Sequence, residues 1–310
     1  MAKDKTKVAI VILVINSLEL IKSELQDLSN LETSGIQLEC IIVDNGSTDG
    51  TDKFIKNYKL PNMSIKYIQT GSNLGFTGGN NVGIEYALEN DFEYILLMNN
   101  DMIVPSDLLV KLVSFLKNKP NAGLVSPKIY FAKGYEFHGD RYKENEKGKV
   151  IWYAGGKIDW DNIYTSHIGV DDVDKGQYNK ISKTEIANGA CVLVRREVFE
   201  KNGLFDNGYF LYWEDADLSQ RAIRSGFDCY YLPDAVIWHK VSVSAGGSGG
   251  FLNDYFLIRN RYFFALKYAK LRTKIAVIRD TIKIMFSGRK WQKKGALDAL
   301  LGKKGVGSWH

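Results

Sequence analysis

Through its first 132 residues the chain alternates between continuous apolar runs and segments whose apolar positions recur at helical spacing. "KVAIVILVI" is a β-branched run, and Leu18 to Leu31 then has the spacing of an amphipathic helix. "QLECIIVD" predicts a second strand and "STDGTDKFIKNY" a short helix. "SIKYIQT" and "NNVGIEYALEN" repeat the pair, as do "FEYILLMNND" and "PSDLLVKLVSFLKN", whose Pro105 sits near the helix start. "AGLVSPKIYF" predicts a fifth strand. Apolar strands alternating with helices imply an α/β fold with a mainly parallel sheet covered on both faces.

The pattern loosens over residues 133–180, which are rich in Gly, Asp, Lys and aromatics and carry only short strand-like pieces such as "KVIWYAGG". This reads as an excursion over the binding edge of the sheet. Order returns with a strand and helix in "TEIANGACVLVRREVFEKNG", a helix in "WEDADLSQRAIRSG" and a strand in "CYYLPDAVIWH". "SAGGSGG", Ser244 to Gly250, reads as a linker to the basic helical pieces "DYFLIRNRYFFALKYAK" and "TKIAVIRDTIKIMF". The expected division is a catalytic domain over 1–245, with a nucleotide-binding half near 1–132 and an acceptor-side half near 133–245. A linker and basic helical extension follow over 246–310.

Composition changes this picture in two places. Three widely spaced cysteines, Cys40, Cys191 and Cys229, form no CxxC pair, which argues against a disulfide scaffold or zinc knuckle and for a reducing compartment. From Arg259 onward the chain carries net +12, against −7 for the rest. A basic tail on an acidic body points to an anionic surface. A membrane is favoured over nucleic acid, because nothing in the tail matches a nucleic-acid motif. The apolar run at the N-terminus is short and reads as the first core strand, not a signal peptide. No stretch reaches the length of a membrane span, so the expected location is cytoplasmic, with peripheral attachment to the inner face of the cell membrane.

In open α/β sheets ligands bind at the carboxyl ends of the strands. Here those ends are polar in succession: Asn16-Ser17, then Asp44-Asn45-Gly46-Ser47, then "GSNLGFTGGNN", then Asn99-Asn100-Asp101. The glycine spacing matches neither a dinucleotide fingerprint nor a phosphate loop of the G-x-x-x-x-G-K-[ST] type. "YWEDADL" places Glu214, Asp215 and Asp217 at a helix start after an aromatic run, and His239 ends the strand "VIWH". Acids at a helix start are also ordinary capping residues, and a strand-end imidazole suits a metal.

In this order, "IIVDNGSTDGT", "SNLGFTGGNNVGI", "LLMNND", "NGACVLVRREVFEKNGLFD", "YFLYWEDADLSQRAIRSGF" and "VIWH" resemble the successive blocks of family 2 glycosyltransferases of the GT-A fold, and in particular rhamnosyltransferase-type members. The resemblance covers about residues 8–265. It implies inverting sugar transfer from a nucleoside-diphosphate sugar, dTDP- or UDP-linked, to a glycan or lipid-linked acceptor, with Mg²⁺ or Mn²⁺. By the same resemblance Asp101 and His239 hold the metal. Asp44, Asn73, Gly78, Gly79, Asn80, Asn99 and Asn100 line the donor site, with Asp44 reading the base. Asp215 is the general base, Glu214 and Trp213 face the acceptor, and Asp217 anchors its helix. Asn99 stands where the family carries an acid, and Val14-Ile15-Asn16-Ser17 lacks the aromatic usual in the first block. Arg259 and Arg261 are candidates to reach the donor diphosphate. Two other readings stay open: a sugar-nucleotide nucleotidyltransferase, for which no triphosphate loop follows the first strand, and a non-catalytic nucleotide- or glycan-binding module.

Overall fold

A computed structural model describes residues 5–241 and 250–309. The chain runs β1 (Thr6–Val14), α1 (Leu18–Leu28), β2 (Ile36–Asp44), α2 (Thr51–Asn57), β3 (Ser64–Gln69), α3 (Gly75–Glu89) and β4 (Tyr94–Asn99). It continues with β5 (Met102–Ile103), α4 (Leu108–Asn118), β6 (Ala122–Phe131), β7 (Ile151–Tyr153), β8 (Gly156–Asp159), β9 (Tyr164–His167) and β10 (Ser182–Lys183). Then come β11 (Cys191–Arg195), α5 (Arg196–Asn202), α6 (Glu214–Arg224), β12 (Asp228–His239), α7 (Phe251–Tyr268), α8 (Leu271–Ser287) and α9 (Lys290–Leu300).

The main sheet has the order β10-β12-β6-β11-β4-β1-β2-β3, with β5 paired to β12 and β7 to β6. β1 is parallel to both β2 and β4, so the chain winds outward in both directions from β1 and the order reverses there. The mainly parallel sheet expected from the apolar runs is present. β11 departs from it, running antiparallel between β4 and β6. An apolar run carries no direction, so a reversed strand inside a sheet cannot be read from it.

Alternation along the strands builds a core on each face. Val8, Ile10, Ile12 and Val14 point to the side covered by α1, α2 and α4, while Ala9 and Val11 point to the side covered by α3, α5 and α6. α3 begins five residues before the helical stretch "NNVGIEYALEN", inside the glycine loop, and rides close over β1. A Cβ on Gly79 would stand 2.3 Å from Leu13, and one on Gly83 2.4 Å from Val11. These glycines let the helix backbone approach the sheet.

Among its described residues the basic extension holds three helices where the sequence predicts two. α9 escapes the pattern because "KWQKKGALDAL" is polar and broken by Gly295. That glycine is where α9 crosses α7, since a Cβ there would lie 2.4 Å from the Tyr255 carbonyl oxygen. Of the linker stretch Ser244–Gly250, only Gly250 falls within the described residues. No helix among the described residues is long and apolar enough to cross a membrane.

Candidate active site

The polar strand ends lie level with one another because of register. Val14 of β1 pairs with Asp44 of β2, and Leu13 of β1 pairs with Asn99 of β4. The short strand β5, just after Asp101, pairs with the end of β12, setting Met102 opposite His239. The Lys240 amide then donates to the Asp101 carbonyl at 2.9 Å. Backbone pairing alone therefore brings together two side chains that are distant in sequence.

Asp101 and His239 are 4% and 6% exposed, too little for solvent to satisfy either. Asp101 Oδ1 lies 3.0 Å from His239 Nε2 but accepts no well-directed hydrogen bond, and His239 Nδ1 has no partner, among the described residues. Buried polar atoms are rarely left so. Two ligands held at about 2.1 Å and at a right angle on one hard cation stand about 3 Å apart, and a Mg²⁺-like ion takes one or two protein ligands and completes its shell with phosphate and water. The pair fits such an ion. Among the described residues no group of three or more His, Cys, Asp or Glu side chains converges on a metal position. Asn99, half-buried beside them, offers a neutral oxygen in place of an acid. Asn100 Nδ2 donates to Ser17 Oγ at 2.6 Å, tying the end of β4 to the start of α1.

The β2 end and the glycine loop form a tight hydrogen-bonded unit. The Asp44 carboxylate is fully buried and accepts from the Gly46 and Ser47 amides and, at 2.7 Å, from the Tyr67 hydroxyl. In this structure it holds a turn. Asn73 Oδ1 accepts from the Gly75 amide and from Asn45 Nδ2. Gly78 packs near Leu74, Gly79 against Leu13, and Asn80, nearly buried, donates to the Phe76 carbonyl within its own helix. Of these, the exposed Asn73 is the most open to a ligand.

Asp215 lies in the first turn of α6 and is partly exposed. Its Oδ2 accepts the Gly189 amide at 3.2 Å, while the adjacent Ala190 carbonyl accepts the Asn99 amide. The segment 188–190 thus links the carboxylate to the end of β4. Burial pushes the Asp215 carboxyl above its ordinary range, against the pull of its backbone hydrogen bonds. Glu214 is buried with Oε2 unpartnered among the described residues, and burial, reinforced by the Asp215 charge, pushes it well upward. Of the two, Glu214 is pushed further toward its protonated form, and Asp215 is the more readily ionised.

The loop delivering these acids is strained. Phe210, Tyr212 and Trp213 have φ of 64°, 67° and 75°, a region side-chain-bearing residues seldom occupy. α7 holds it in place. Asn260 Nδ2 donates to the carbonyls of Tyr209, Leu211 and Tyr212 at 2.9, 2.7 and 2.9 Å, and Arg259 donates to those of Gly208 and Tyr209. Both side chains are fully buried. Asp217, also fully buried, pairs with Arg221 and with Lys267 and Tyr268 of α7, each at 2.7 Å.

Arg259 and Arg261 therefore do not reach a donor diphosphate. Arg259 is engaged by backbone carbonyls, and Arg261 by the Asn162 and Ile163 carbonyls and Asp280. Sequence reasoning missed the Asn260 clamp, because "RNR" reads as surface charge on a basic helix. It also missed Trp152 and His167, in the segment without periodicity. The Trp152 ring stands edge-on to both His239 and His167, at 4.6 and 4.5 Å between centroids. His167 is pinned between the Trp152 carbonyl and Asn188 Nδ2, and burial lowers it to about 4, leaving it neutral.

The profile of the family described as "Glycosyl transferase family 2" matches residues 9–203. The low-salt glycan biosynthesis hexosyltransferase Agl10 of Haloferax volcanii is 26% identical over 210 residues, spanning 67% of this chain and 60% of that protein. The N-acetylglucosaminyl-diphospho-decaprenol L-rhamnosyltransferase of Mycobacterium tuberculosis is 26% identical over 214 residues, spanning 66% of this chain and 67% of that one. Rhamnosyltransferase WbbL of Escherichia coli K12 is also 26% identical over 214 residues, with 66% and 74% covered. Among solved structures, S. aureus TarS 1–349 in complex with UDP-GlcNAc superposes with TM-score 0.61 at 13% identity, over 95% of this chain and 80% of that one. Mannosyltransferase PcManGT from Pyrobaculum calidifontis, in complex with GDP-Man and Mn²⁺, superposes with TM-score 0.56 at 17% identity, over 96% and 75%. At such identities the likeness speaks for the fold, which is GT-A.

Proposed function

Because this chain belongs to glycosyl transferase family 2, we propose that it moves a sugar from a nucleoside diphosphate onto an acceptor hydroxyl, inverting the anomeric carbon with the help of a divalent cation. The observation that carries the metal part is the buried pair Asp101 and His239, with Oδ1 and Nε2 3.0 Å apart and with Asp101 Oδ1 accepting no hydrogen bond among the described residues. Mg²⁺ or Mn²⁺ bound there supplies Lewis-acid stabilisation of the departing diphosphate. With one carboxylate rather than two, Asp101 and His239 would hold such an ion weakly on their own.

The chain's own residues do the rest. Asp215 takes the proton of the acceptor hydroxyl as that oxygen attacks the anomeric carbon. Its elevated pKa strengthens it as a base, and the Gly189 amide aims it. Glu214, protonated and buried, is a hydrogen-bond donor toward the acceptor, with Trp213 beside it as an apolar wall. Asn73, Asn99 and Asn100 line the donor side, and Asp44 with its turn sets the wall at the base. The domain division read from the sequence is kept in this proposal, with the extension serving as a brace for the acceptor-side loop.

The substrate classes follow from relatives. The M. tuberculosis protein is named as acting on a diphospho-decaprenol-linked sugar and the E. coli one as a rhamnosyltransferase. A dTDP- or UDP-linked hexose donor and a lipid-linked glycan acceptor, in cell-surface polysaccharide synthesis, is the corresponding reading here. The enzyme would then work at the cytoplasmic face of a membrane.

Calorimetry with UDP and dTDP, with and without Mn²⁺, tests the metal site. Asp101→Ala should abolish the Mn²⁺-dependent part of the affinity and His239→Ala should weaken it. Equal Mn²⁺ dependence in all three proteins would remove the pair from the role. In a panel of sugar nucleotides, release of diphosphate supports transfer, consumption of pyrophosphate supports a nucleotidyltransferase, and no turnover supports a binding module.

A further inference from the structure

We propose that α8 is a membrane-docking surface that lays an exposed apolar stripe on anionic lipid. The helix has two faces. Thr273, Val277 and Thr281, four residues apart, are buried against the rest of the protein. On the opposite side Leu271, Ile275, Ile282 and Phe286 are 74%, 50%, 41% and 71% exposed, with Ile278 partly exposed among them. At 100° per residue these five fall within one sector of about 80°. So regular a stripe on an outward face is unlike scattered surface apolar residues, and it needs an explanation.

The flanks identify the occupant. Arg272, Arg279 and Lys283 border the stripe on one side and Lys274 on the other. None of the four has an acidic partner among the described residues. The one acid in the helix, Asp280, lies toward the packed side and is taken by Arg261. Apolar residues between unpaired cations match the interface of a bilayer with anionic head groups: side chains enter the acyl boundary while guanidinium and ammonium groups stay at phosphate level. A soluble protein partner would need an apolar groove rimmed with acids on both sides, whereas an anionic bilayer offers both features to any such helix. The inference narrows the basic tail to one helix, because α7 turns its arginines inward and α9 buries Gly295, Ala296 and Ala299 in packing. It shares the membrane setting of the proposed function but not its chemistry, and lipid binding is measured without turnover, so the two fail separately.

The experiment is co-sedimentation of the full chain with phosphatidylcholine vesicles with or without 30% phosphatidylglycerol (an arbitrary, roughly physiological fraction of anionic lipid). Two variants accompany it: Ile275→Ser/Ile282→Ser/Phe286→Ser, which removes the stripe, and Arg272→Gln/Arg279→Gln/Lys283→Gln, which removes one charged flank. All six positions are solvent-facing, so both variants should keep the thermal midpoint of the parent. The parent should bind anionic vesicles, release at high salt and bind neutral vesicles at least tenfold more weakly. Each variant should lose on the order of tenfold in partitioning or more. Equal binding to neutral vesicles, no binding at all, or unchanged binding by the stripe variant would overturn the proposal. So would a parent that is dimeric by light scattering and a stripe variant that is monomeric, which would make the face a contact between copies.

Discussion

Asn260→Ala separates a helix that merely packs from one that aims the catalytic loop. The side chain is fully buried and its amide nitrogen serves three carbonyls of the loop before Glu214. Three residues of that loop hold left-handed φ, each of which costs about 1–3 kcal/mol when nothing enforces it. Removing the amide leaves buried carbonyls under-satisfied, a loss of about 1–3 kcal/mol, and frees the loop to relax. The thermal midpoint should fall by several degrees, at roughly 2–4 °C per kcal/mol for domains a little smaller than this one. Transfer should fall further than stability explains. A displacement of about 1 Å in a positioned group can reduce the rate on the order of 100-fold, and the loss should appear in kcat and not in the KM for the donor, because the loop carries the base. Asn260→Asp sharpens the test. An ionised carboxylate has no N–H to offer and sets charge against carbonyl oxygens, so it should be worse than alanine in both respects. Steady-state kinetics at a temperature well below both midpoints, with donor and acceptor varied in turn, decides it. A variant with a lowered midpoint and parental kcat would refute the positioning argument and leave Asn260 a structural residue.

Other consequences are checked more simply. Glu24 lies on the packed face of α1 with both carboxylate oxygens buried and unpartnered among the described residues, and burial, aided by Asp101 and Asp27, raises its pKa well above the ordinary value. Such an acid stays protonated in the folded chain while it ionises in the unfolded one, so its stability contribution is lost as pH rises above the usual carboxylate range. Glu24→Met should raise the thermal midpoint, and by more at pH 7.5 than at pH 5; a gain that shrinks with rising pH would contradict this. Gly295→Ala should destabilise by about 1–3 kcal/mol, as an added methyl meets the Tyr255 carbonyl; unchanged melting would mean α9 is not packed there. The acid limb of the rate profile should lie above the roughly 3.9 of an ordinary aspartate, since the base works only when deprotonated and its pKa is raised; a limb at or below that value would place the working base elsewhere.

The repeating strands and helices of the first half were legible because most of the buried strands are continuous apolar runs and α1 and α4 are amphipathic. "AGLVSPKIYF" is β6 from its first residue to its last. The strand ends were legible as well: Asn16, Asp44 and Asn99 are polar where apolar runs stop, and pairing register sets the ends of β1, β2 and β4 level. What the sequence could not yield were relations of long range. Nothing local says that β11 runs backwards, or that "RNR" faces inward, since Arg259 becomes a buried donor only when the loop at 208–212 folds over it. His167 and Trp152 stayed silent because short β-pieces in a polar stretch carry no period, and their importance comes from contact with His239 and Asn188.

The central claim is that Asp215 is the base of a sugar transfer whose donor is held elsewhere. Its most direct test compares donor affinity and transfer in the parent and in Asp215→Asn, with the same sugar nucleotide, acceptor and Mn²⁺. The account predicts donor affinity within about twofold of the parent, because the substitution leaves the metal pair and the donor side intact. It predicts transfer slower by roughly 10²–10⁴-fold, the scale of general-base catalysis. Transfer near the parental rate, or a loss that tracks weakened donor binding, would contradict it.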